Sequence, residues 1–185
     1  PFCGIGTIPL ECDLTGRIPI GFDLNPYAVT IAEAKFDRDA LEDHLNWLKS
    51  VRLDLNSIDI DSIPEYVRQF YHDNTIRELY ALRNEIIKQN RTFLLGCLIG
   101  ISHGHRPQYL SAWTGYIVPF EPKTKPEYRA VIPRMIAKVK RMYETGFRLE
   151  TQGSILRADA REMPLSDNSV DAIISSPPYF DTIDY

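Results

Sequence analysis

The stretch RIPIGFDLNPYAVTIAEAKFDRDAL, residues 17–41, is the part of the sequence that decides the expected fold. Its first part is a short apolar run that ends in Asp23, which is typical of a buried strand. Asn25 and Pro26 follow, and these residue types are favoured at the N-cap and at the first position of a helix. Apolar residues then recur on one helical face. The stretch therefore predicts a strand, a tight turn and an amphipathic helix.

A glycine-punctuated loop, PFCGIGT at residues 1–7, lies upstream of this strand. Gly4 and Gly6 allow the backbone to approach a ligand closely, and the short helix predicted after them stops at Gly16. Asp23 follows the loop at close to the spacing at which an acid meets ribose hydroxyls in doubly wound folds. A surface turn with a solvated acid is the alternative interpretation of the same residues.

The strand pattern resumes in residues 151–185. GSILRADA predicts a strand that ends in Asp159, and DAIISSPPY predicts a short apolar strand closed by two prolines. Strands of a parallel sheet end at one edge, where such folds bind ligands. The glycine loop and the two acids are therefore expected at a shared edge.

The end of the last predicted strand carries Ser176, Pro177, Pro178 and Tyr179. Prolines lack an N–H group, so backbone carbonyls there are left to point outward. A hydroxyl, an outward carbonyl and an aromatic face can accept hydrogen bonds from an amino group and stack on a flat ring. A plain proline turn is the alternative.

Residues 41–150 interrupt this alternation and are mainly helical in pattern. Residues 75–103 predict one long helix that ends near Gly104. Residues 127–146 predict another helix, with Pro133 at a kink or a late start. This second helix is locally basic, which indicates either phosphate contacts or an ordinary solvated face; the candidate contacts are Arg129, Arg134, Lys138 and Arg141.

Composition limits the function classes only broadly. The chain has 185 residues and a net charge of −4, so global charge does not indicate nucleic-acid binding. Three cysteines without a CxxC pair indicate reduced thiols and a cytoplasmic location. His103 and His105 lack a third ligand nearby, so no metal site is predicted. No apolar run is long enough to span a bilayer.

Taken together, PFCGIGT, GFDLNPYAV, RADA and SVDAIISSPPY resemble the motifs of S-adenosylmethionine-dependent DNA amino-methyltransferases. The resemblance implies an α/β fold with a Rossmann-like methyltransferase sheet, and methyl transfer to an exocyclic amino group of a base in DNA. Serine at the first catalytic position is more similar to the branch that methylates N4 of cytosine, and adenine stays open. The substrate base would be flipped out of the duplex.

The resemblance also implies roles for individual residues. S-adenosylmethionine would be held by Phe2, Cys3, Gly4, Gly6, Thr7, Asp23, Leu24, Asp159 and Ala160. The catalytic motif would be Ser176, Pro177, Pro178 and Tyr179, with Tyr179 stacking on the flipped base.

The resemblance divides the chain into a partial catalytic domain, residues 1–40 and 151–185, and a helical insertion, residues 41–150. The insertion is a candidate DNA-contact or target-recognition region. The chain begins at Pro1 inside the cofactor motif and lacks the remaining strands of the expected sheet. We therefore expect an incomplete sheet, a piece of a longer protein, and no activity in isolation.

Two other functions are compatible with the sequence. An RNA guanine-N2 methyltransferase would have a similar glycine loop and a proline-proline-tyrosine motif. Such enzymes usually carry Asn or Asp where this chain has Ser176, and often Gly where it has Phe180. The third hypothesis is a non-catalytic fragment that binds nucleic acid or a partner through residues 41–150.

Overall fold

The computed structural model describes residues 1–104, 106–113, 121–144 and 149–177. Two compact units make up the chain: the described parts of Pro1–Arg38 with Phe147–Tyr185 form unit 1, and those of Asp39–Gly146 form unit 2. Within these ranges the protein is mixed α/β and mostly helical, with a small parallel sheet, which confirms the predicted α/β class at this level. No helix in the described ranges combines the length and the apolar character needed to cross a membrane.

Unit 1 is a two-stranded parallel sheet with two helices. In chain order its elements are α1 (Thr7–Leu14), β1 (Ile20–Asp23), α2 (Pro26–Ala34) and β2 (Ser154–Arg157). The strands pair in register from Ile20 opposite Ser154 to Asp23 opposite Arg157. The predicted turn between strand and helix is confirmed, because the Asn25 side chain accepts a hydrogen bond from the Tyr27 N–H (2.9 Å) and Pro26 is the first helical residue.

The core of unit 1 lies where α2 covers the sheet. Val29 and Ala32 of α2 pack on Ile155 of β2, and Ala32 is completely buried. Gly21 of β1 makes this close packing feasible, because a Cβ there would lie only 2.7 Å from the Ile155 Cδ1 atom.

A buried carboxylate, Asp13, fastens α1 to the segment before β2. It is fully buried, and it accepts hydrogen bonds from the Glu150 N–H (2.8 Å), the Thr151 N–H (3.0 Å) and the Thr151 hydroxyl. Burial opposes ionisation of Asp13, but these hydrogen bonds outweigh it and lower the pKa of the carboxyl. The residues around Asp13 in the sequence carry no signal for this contact, because its partners lie 137 and 138 positions away.

Unit 2 is helical throughout its regular elements. It contains α3 (Leu41–Ser50), a 3₁₀ turn (Ile60–Ser62), α4 (Glu65–Arg68), α5 (Asp73–Lys88), α6 (Thr92–Ser102) and α7 (Val131–Tyr143). The apolar faces of α3, α5, α6 and α7 share one core, whose fully buried members include Leu82, Ile86, Leu94, Val131, Met135 and Val139. Pro133 lies in the first turn of α7, so the predicted late start is correct and the kink is not needed.

The prediction of one long helix over residues 75–103 is wrong. The chain leaves α5 at Asn90, which has a left-handed backbone (φ 52°), and α6 starts two residues later. The Arg91 N–H donates to the Ile86 carbonyl (3.1 Å) and the Asn90 N–H donates to the Ile87 carbonyl (3.1 Å). This pair of bonds is the Schellman motif that ends many helices, with asparagine where glycine is commonest.

Asn90 offers a first test of this helix ending. Asn90→Val should lower the free energy of unfolding by about 1–2 kcal/mol, because a β-branched residue is strained at positive φ. Asn90→Gly should leave stability within about 0.5 kcal/mol of the parent or raise it. Asn84→Val is the matched control, since Asn84 lies within α5 in regular helix. Urea unfolding followed by circular dichroism measures all three. Equal losses for the two valine variants would contradict the assignment.

The strand predicted over DAIISSPPY is also not found in its described part, residues 171–177. Ile173 and Ile174 are 70% and 60% exposed there, so they gain little from burial. A strand is stabilised by a hydrogen-bonded neighbour and an apolar layer beneath it. Within the described residues this segment has neither a hydrogen-bonded neighbouring strand nor an apolar layer beneath it.

Candidate functional site

The glycine loop at the start of unit 1 is held in a specific backbone shape. Phe2, Gly4 and Gly6 have positive φ angles of 56°, 53° and 78°. The Cys3 N–H donates to the Phe22 carbonyl of β1 (2.9 Å), and the Gly6 N–H donates to the Cys3 carbonyl (2.9 Å). Gly6 is also the N-cap of α1, which begins at Thr7. The loop thus joins the sheet edge to a helix N-terminus.

Asp23, at the end of β1, fastens this loop from the sheet side. Its Oδ2 atom accepts a hydrogen bond from the Gly4 N–H (2.8 Å), and its Oδ1 atom accepts one from the Asn25 N–H (2.9 Å). A carboxylate has about four acceptor sites, so each oxygen retains capacity for another donor. Leu24 beside it is 59% exposed. The glycine loop and Asp23 are therefore hydrogen-bonded into one site, and the exposed side chain of Leu24 lies beside it.

Asp159 follows β2 at the same edge of the sheet. The Ala158 N–H donates to the Asp23 carbonyl (3.2 Å), which ties the end of β2 to the end of β1. Arg161 grips the Asp159 carboxylate through Nε (3.0 Å) and Nη2 (2.6 Å) and through its own N–H (2.9 Å). These hydrogen bonds lower the pKa of Asp159 to about 2. Asp159 is consequently an ionised acceptor at neutral pH, with Ala160 half-buried beside it.

The segment with the first half of the proline motif lies next to the glycine loop. The Ser175 hydroxyl donates to the Pro1 carbonyl (3.3 Å). Ser176 and Pro177 are exposed. Pro178 and Tyr179 lie outside the described residues. The described part of this motif and the glycine loop are therefore neighbours in unit 1.

Cys3 is inside the loop but is poorly suited to nucleophilic chemistry. Burial, reinforced by the negative charge of Asp23, raises the pKa of its thiol. The thiolate is the reactive form of cysteine, so a raised pKa leaves little of it at neutral pH. A role in lining the loop fits this environment better.

Two arginines near the edge were missed by the sequence analysis. Arg161 holds Asp159, and the Arg157 Nε–H donates to the Leu24 carbonyl (3.1 Å). The spacing of Asp159 and Arg161 offered a local signal, since an aspartate often accepts from the backbone N–H two residues later. Arg157 offered none, because its partner lies 133 residues away.

The four cations named as candidate phosphate contacts do not share one environment in unit 2. Nη1 of Arg129 donates to the carbonyls of Tyr109 (2.9 Å) and Ser111 (2.6 Å), so this guanidinium is engaged by the protein itself. Arg134 also donates to backbone carbonyls, from Nη1 to Ala130 (3.1 Å) and from Nη2 to Pro107 (3.5 Å), and it follows one face of α7 with Lys138 and Arg141. His103 packs edge-on against Phe70 (5.7 Å between ring centroids), and His105 lies outside the described residues.

Comparisons with protein-family models, with curated proteins and with solved structures find no match to this chain.

Proposed function

We propose that unit 1 is part of a Rossmann-like methyltransferase sheet, and that the chain serves methyl transfer from S-adenosylmethionine to an exocyclic amine of a DNA base, N4 of cytosine. The observation that carries the proposal is the hydrogen bond from the Gly4 N–H to Asp23 Oδ2 (2.8 Å). It joins a left-handed glycine loop to an acid at the carboxyl end of a parallel strand, where doubly wound folds bind nucleosides.

The residues of this edge fit such a cofactor. The free acceptor sites of Asp23 suit two ribose hydroxyls, and the exposed Leu24 suits one face of an adenine ring. Asp159, ionised and adjacent along the edge, suits the adenine amino group as a hydrogen-bond acceptor. Phe2, Cys3, Gly4, Gly6, Thr7 and Ala160 complete the proposed cofactor residues.

The proline motif supplies the acceptors for the substrate amine. When bound, the cofactor would supply a methyl group activated by its sulfonium, which is the group to be transferred to the substrate nitrogen. Ser176 Oγ and the Pro177 carbonyl accept the amine hydrogens, which directs the nitrogen lone pair outward. The amine then loses one proton to water at the exposed Ser176. Alignment of these groups provides most of the rate gain.

Calorimetry with S-adenosylmethionine tests the proposed site. Asp23→Asn should weaken binding roughly tenfold to hundredfold, as expected for lost hydrogen bonds to a charged group. Asp54→Asn is the matched control, because Asp54 also accepts two backbone N–H bonds, from Asn56 and Ser57, but in unit 2. It should bind like the parent. No binding by the parent, or equal losses in both variants, would contradict the proposal.

A transfer assay with labelled methyl groups identifies the acceptor, and it is run on a protein that contains this chain together with a complete methyltransferase sheet, because we expect the isolated chain to be inactive. We expect the label in duplex DNA, on N4 of cytosine. Label on N6 of adenine would correct the base, and label confined to tRNA would favour a guanine-N2 RNA methyltransferase instead.

A further inference from the structure

One face of α7 carries a row of three cations, Arg134, Lys138 and Arg141, which we call the basic stripe. They are spaced by four and three residues, so they lie along one side of the helix. Val131, Met135 and Val139 form the buried side within the core of unit 2, and the stripe borders that side, so Arg134 and Lys138 are half-buried whereas Arg141 is exposed. The sequence Val131–Tyr143 contains no acidic residue. The helix therefore presents a purely positive face in a protein of net negative charge.

No carboxylate neutralises the basic stripe within the part of the chain that the structure describes. The ion pairs found there involve Arg68, Lys88 and Arg161. Like charges lie close to the stripe: burial, and then Arg129, lowers the pKa of Arg134, whereas Tyr128 acts in the opposite direction. Burial also lowers the pKa of Lys138; the Cys97 thiol acts in the opposite direction, and the charge of Arg141 acts in the same direction as burial. Uncompensated cations at close range disfavour the folded state, and an anion would relieve them.

Two of the three cations are also held in place rather than extended into solvent. Lys138 lies across α6 at Gly100, where an added Cβ would be 3.3 Å from the lysine Cε atom. The Arg134 Nη1–H donates to the Ala130 carbonyl (3.1 Å). Side chains that are already ordered lose less conformational entropy when they bind a partner. This order distinguishes the stripe from an ordinary solvated helix face.

The spacing and the surroundings of the stripe indicate what kind of anion fits. Arg134 and Arg141 are about 10 Å apart along the helix axis, from the rise per residue. A row of this length matches several phosphates of a nucleic-acid backbone better than a single small anion. The exposed positions between the cations are Ala137 and Lys140. They offer no aromatic ring, which single-strand binders use to stack bases.

We propose that the basic stripe binds the phosphate backbone of duplex DNA without reading its sequence. The choice of DNA as the partner rests on the proposed function, whereas the arrangement of the cations does not. Contacts of this kind position a duplex and carry no base information. The stripe would thus hold DNA on unit 2 irrespective of the target base.

The test is the salt dependence of DNA binding by the 185-residue chain, measured by fluorescence anisotropy with two duplexes of unrelated sequence. Each phosphate contact contributes about 0.9 to the slope of log K against log salt concentration. The neutral triple variant Arg134→Gln, Lys138→Gln, Arg141→Gln should reduce that slope by about 2.7. Affinity should fall by the same factor on both duplexes.

Two matched triple variants separate charge from structure. Arg134→Lys, Lys138→Arg, Arg141→Lys retains the charge and should retain the slope, even though the Arg134 hydrogen bond is altered. Lys49→Gln, Arg52→Gln, Arg83→Gln removes the same charge from exposed positions elsewhere in unit 2 and should leave the slope within about 0.5 of the parent. Circular dichroism checks that all variants are folded.

Several outcomes would overturn the proposal. The proposal is wrong if the parent chain does not bind DNA, or if the neutral stripe variant keeps the salt slope of the parent. It is also wrong if the control triple variant loses as much of that slope as the stripe variant does. Tighter binding of an RNA duplex than of DNA, with the same loss in the stripe variant, would overturn DNA as the partner. Calorimetry with S-adenosylmethionine on the same samples keeps the two proposals apart. A reduced slope without cofactor binding supports the stripe and contradicts the methyltransferase assignment.

Discussion

Gly6→Ala should lower the free energy of unfolding by about 2–5 kcal/mol, because two costs add at this position. Gly6 has a φ of 78°, where an L side chain is strained by about 1–2 kcal/mol. A Cβ there would also lie 2.7 Å from the Ala32 Cβ atom and 3.0 Å from the Ala32 Cα atom. Ala32 is fully buried in α2, so the clash must move a helix, at a cost of about 1–3 kcal/mol.

Gly4→Ala is the matched control for this effect. Gly4 has a φ of 53° in the same loop, but nothing lies within 4 Å of an added Cβ. Its alanine variant should lose only the backbone strain, about 1–2 kcal/mol. Ala32→Gly should recover part of the loss in the Gly6→Ala background and destabilise the parent. Urea unfolding of the parent, Gly6→Ala, Ala32→Gly and the double variant measures the coupling energy between residues 6 and 32. Equal losses at Gly4 and Gly6, without recovery, would show that the loop does not pack on α2.

Asp13→Ala should lower the free energy of unfolding by about 3–5 kcal/mol, because it removes a buried charge and leaves its donors unpaired. The donors are the backbone N–H groups of Glu150 and Thr151 and the Thr151 hydroxyl. Asp13→Asn, which retains one acceptor oxygen, should lose less. Glu11→Ala on the exposed side of the same helix is the control and should change stability by no more than about 0.5 kcal/mol. An Asp13→Ala protein as stable as the control would mean that α1 is not fastened in this way.

The same residue should make stability depend on pH. The pKa of Asp13 is lowered in the folded protein, so the unfolded chain binds more protons at acidic pH. Its contribution is complete above the unfolded value of about 3.9 and is lost as pH falls through the lower folded value. The parent should therefore lose more stability than Asp13→Ala between pH 7 and pH 3. Unfolding curves at the two pH values give the difference; parallel losses would contradict the assignment.

The parts of the fold that the sequence predicted well rest on local signals. Asn25 and Pro26 set the start of α2, and Gly16 (φ 75°) ends α1, because capping and left-handed geometry involve residues only a few positions apart. The end of α5 at Asn90 also depends on local geometry, because Asn90 adopts a left-handed backbone (φ 52°) there. Asparagine adopts the left-handed conformation less often than glycine, and the apolar pattern continues across the break, so the signal was weak.

The parts that could not be predicted depend on pairs far apart in the chain. Asp13 meets Glu150 across 137 positions, and Ser175 meets Pro1 across 174. Local pattern contains no information about such contacts. One general rule did apply. The carboxyl ends of parallel strands meet at one edge of the sheet, and this predicted that Gly4 and Asp23 would lie together. The interpretation of Ile173 and Ile174 as a strand failed because it assumed a neighbouring layer that the described residues do not contain.

The parallel pairing of β1 with β2 also determines when unit 1 can form during synthesis. Leu24 and Arg157, which contact each other across the pair, are 133 residues apart. At typical translation rates the ribosome needs about 7–27 s to make that much chain. Throughout this interval β1 is without its partner strand, and before the interval ends every core residue of unit 2 has been synthesised. Unit 2 can therefore fold first, and its folding shortens the flexible connection that β2 must close on β1.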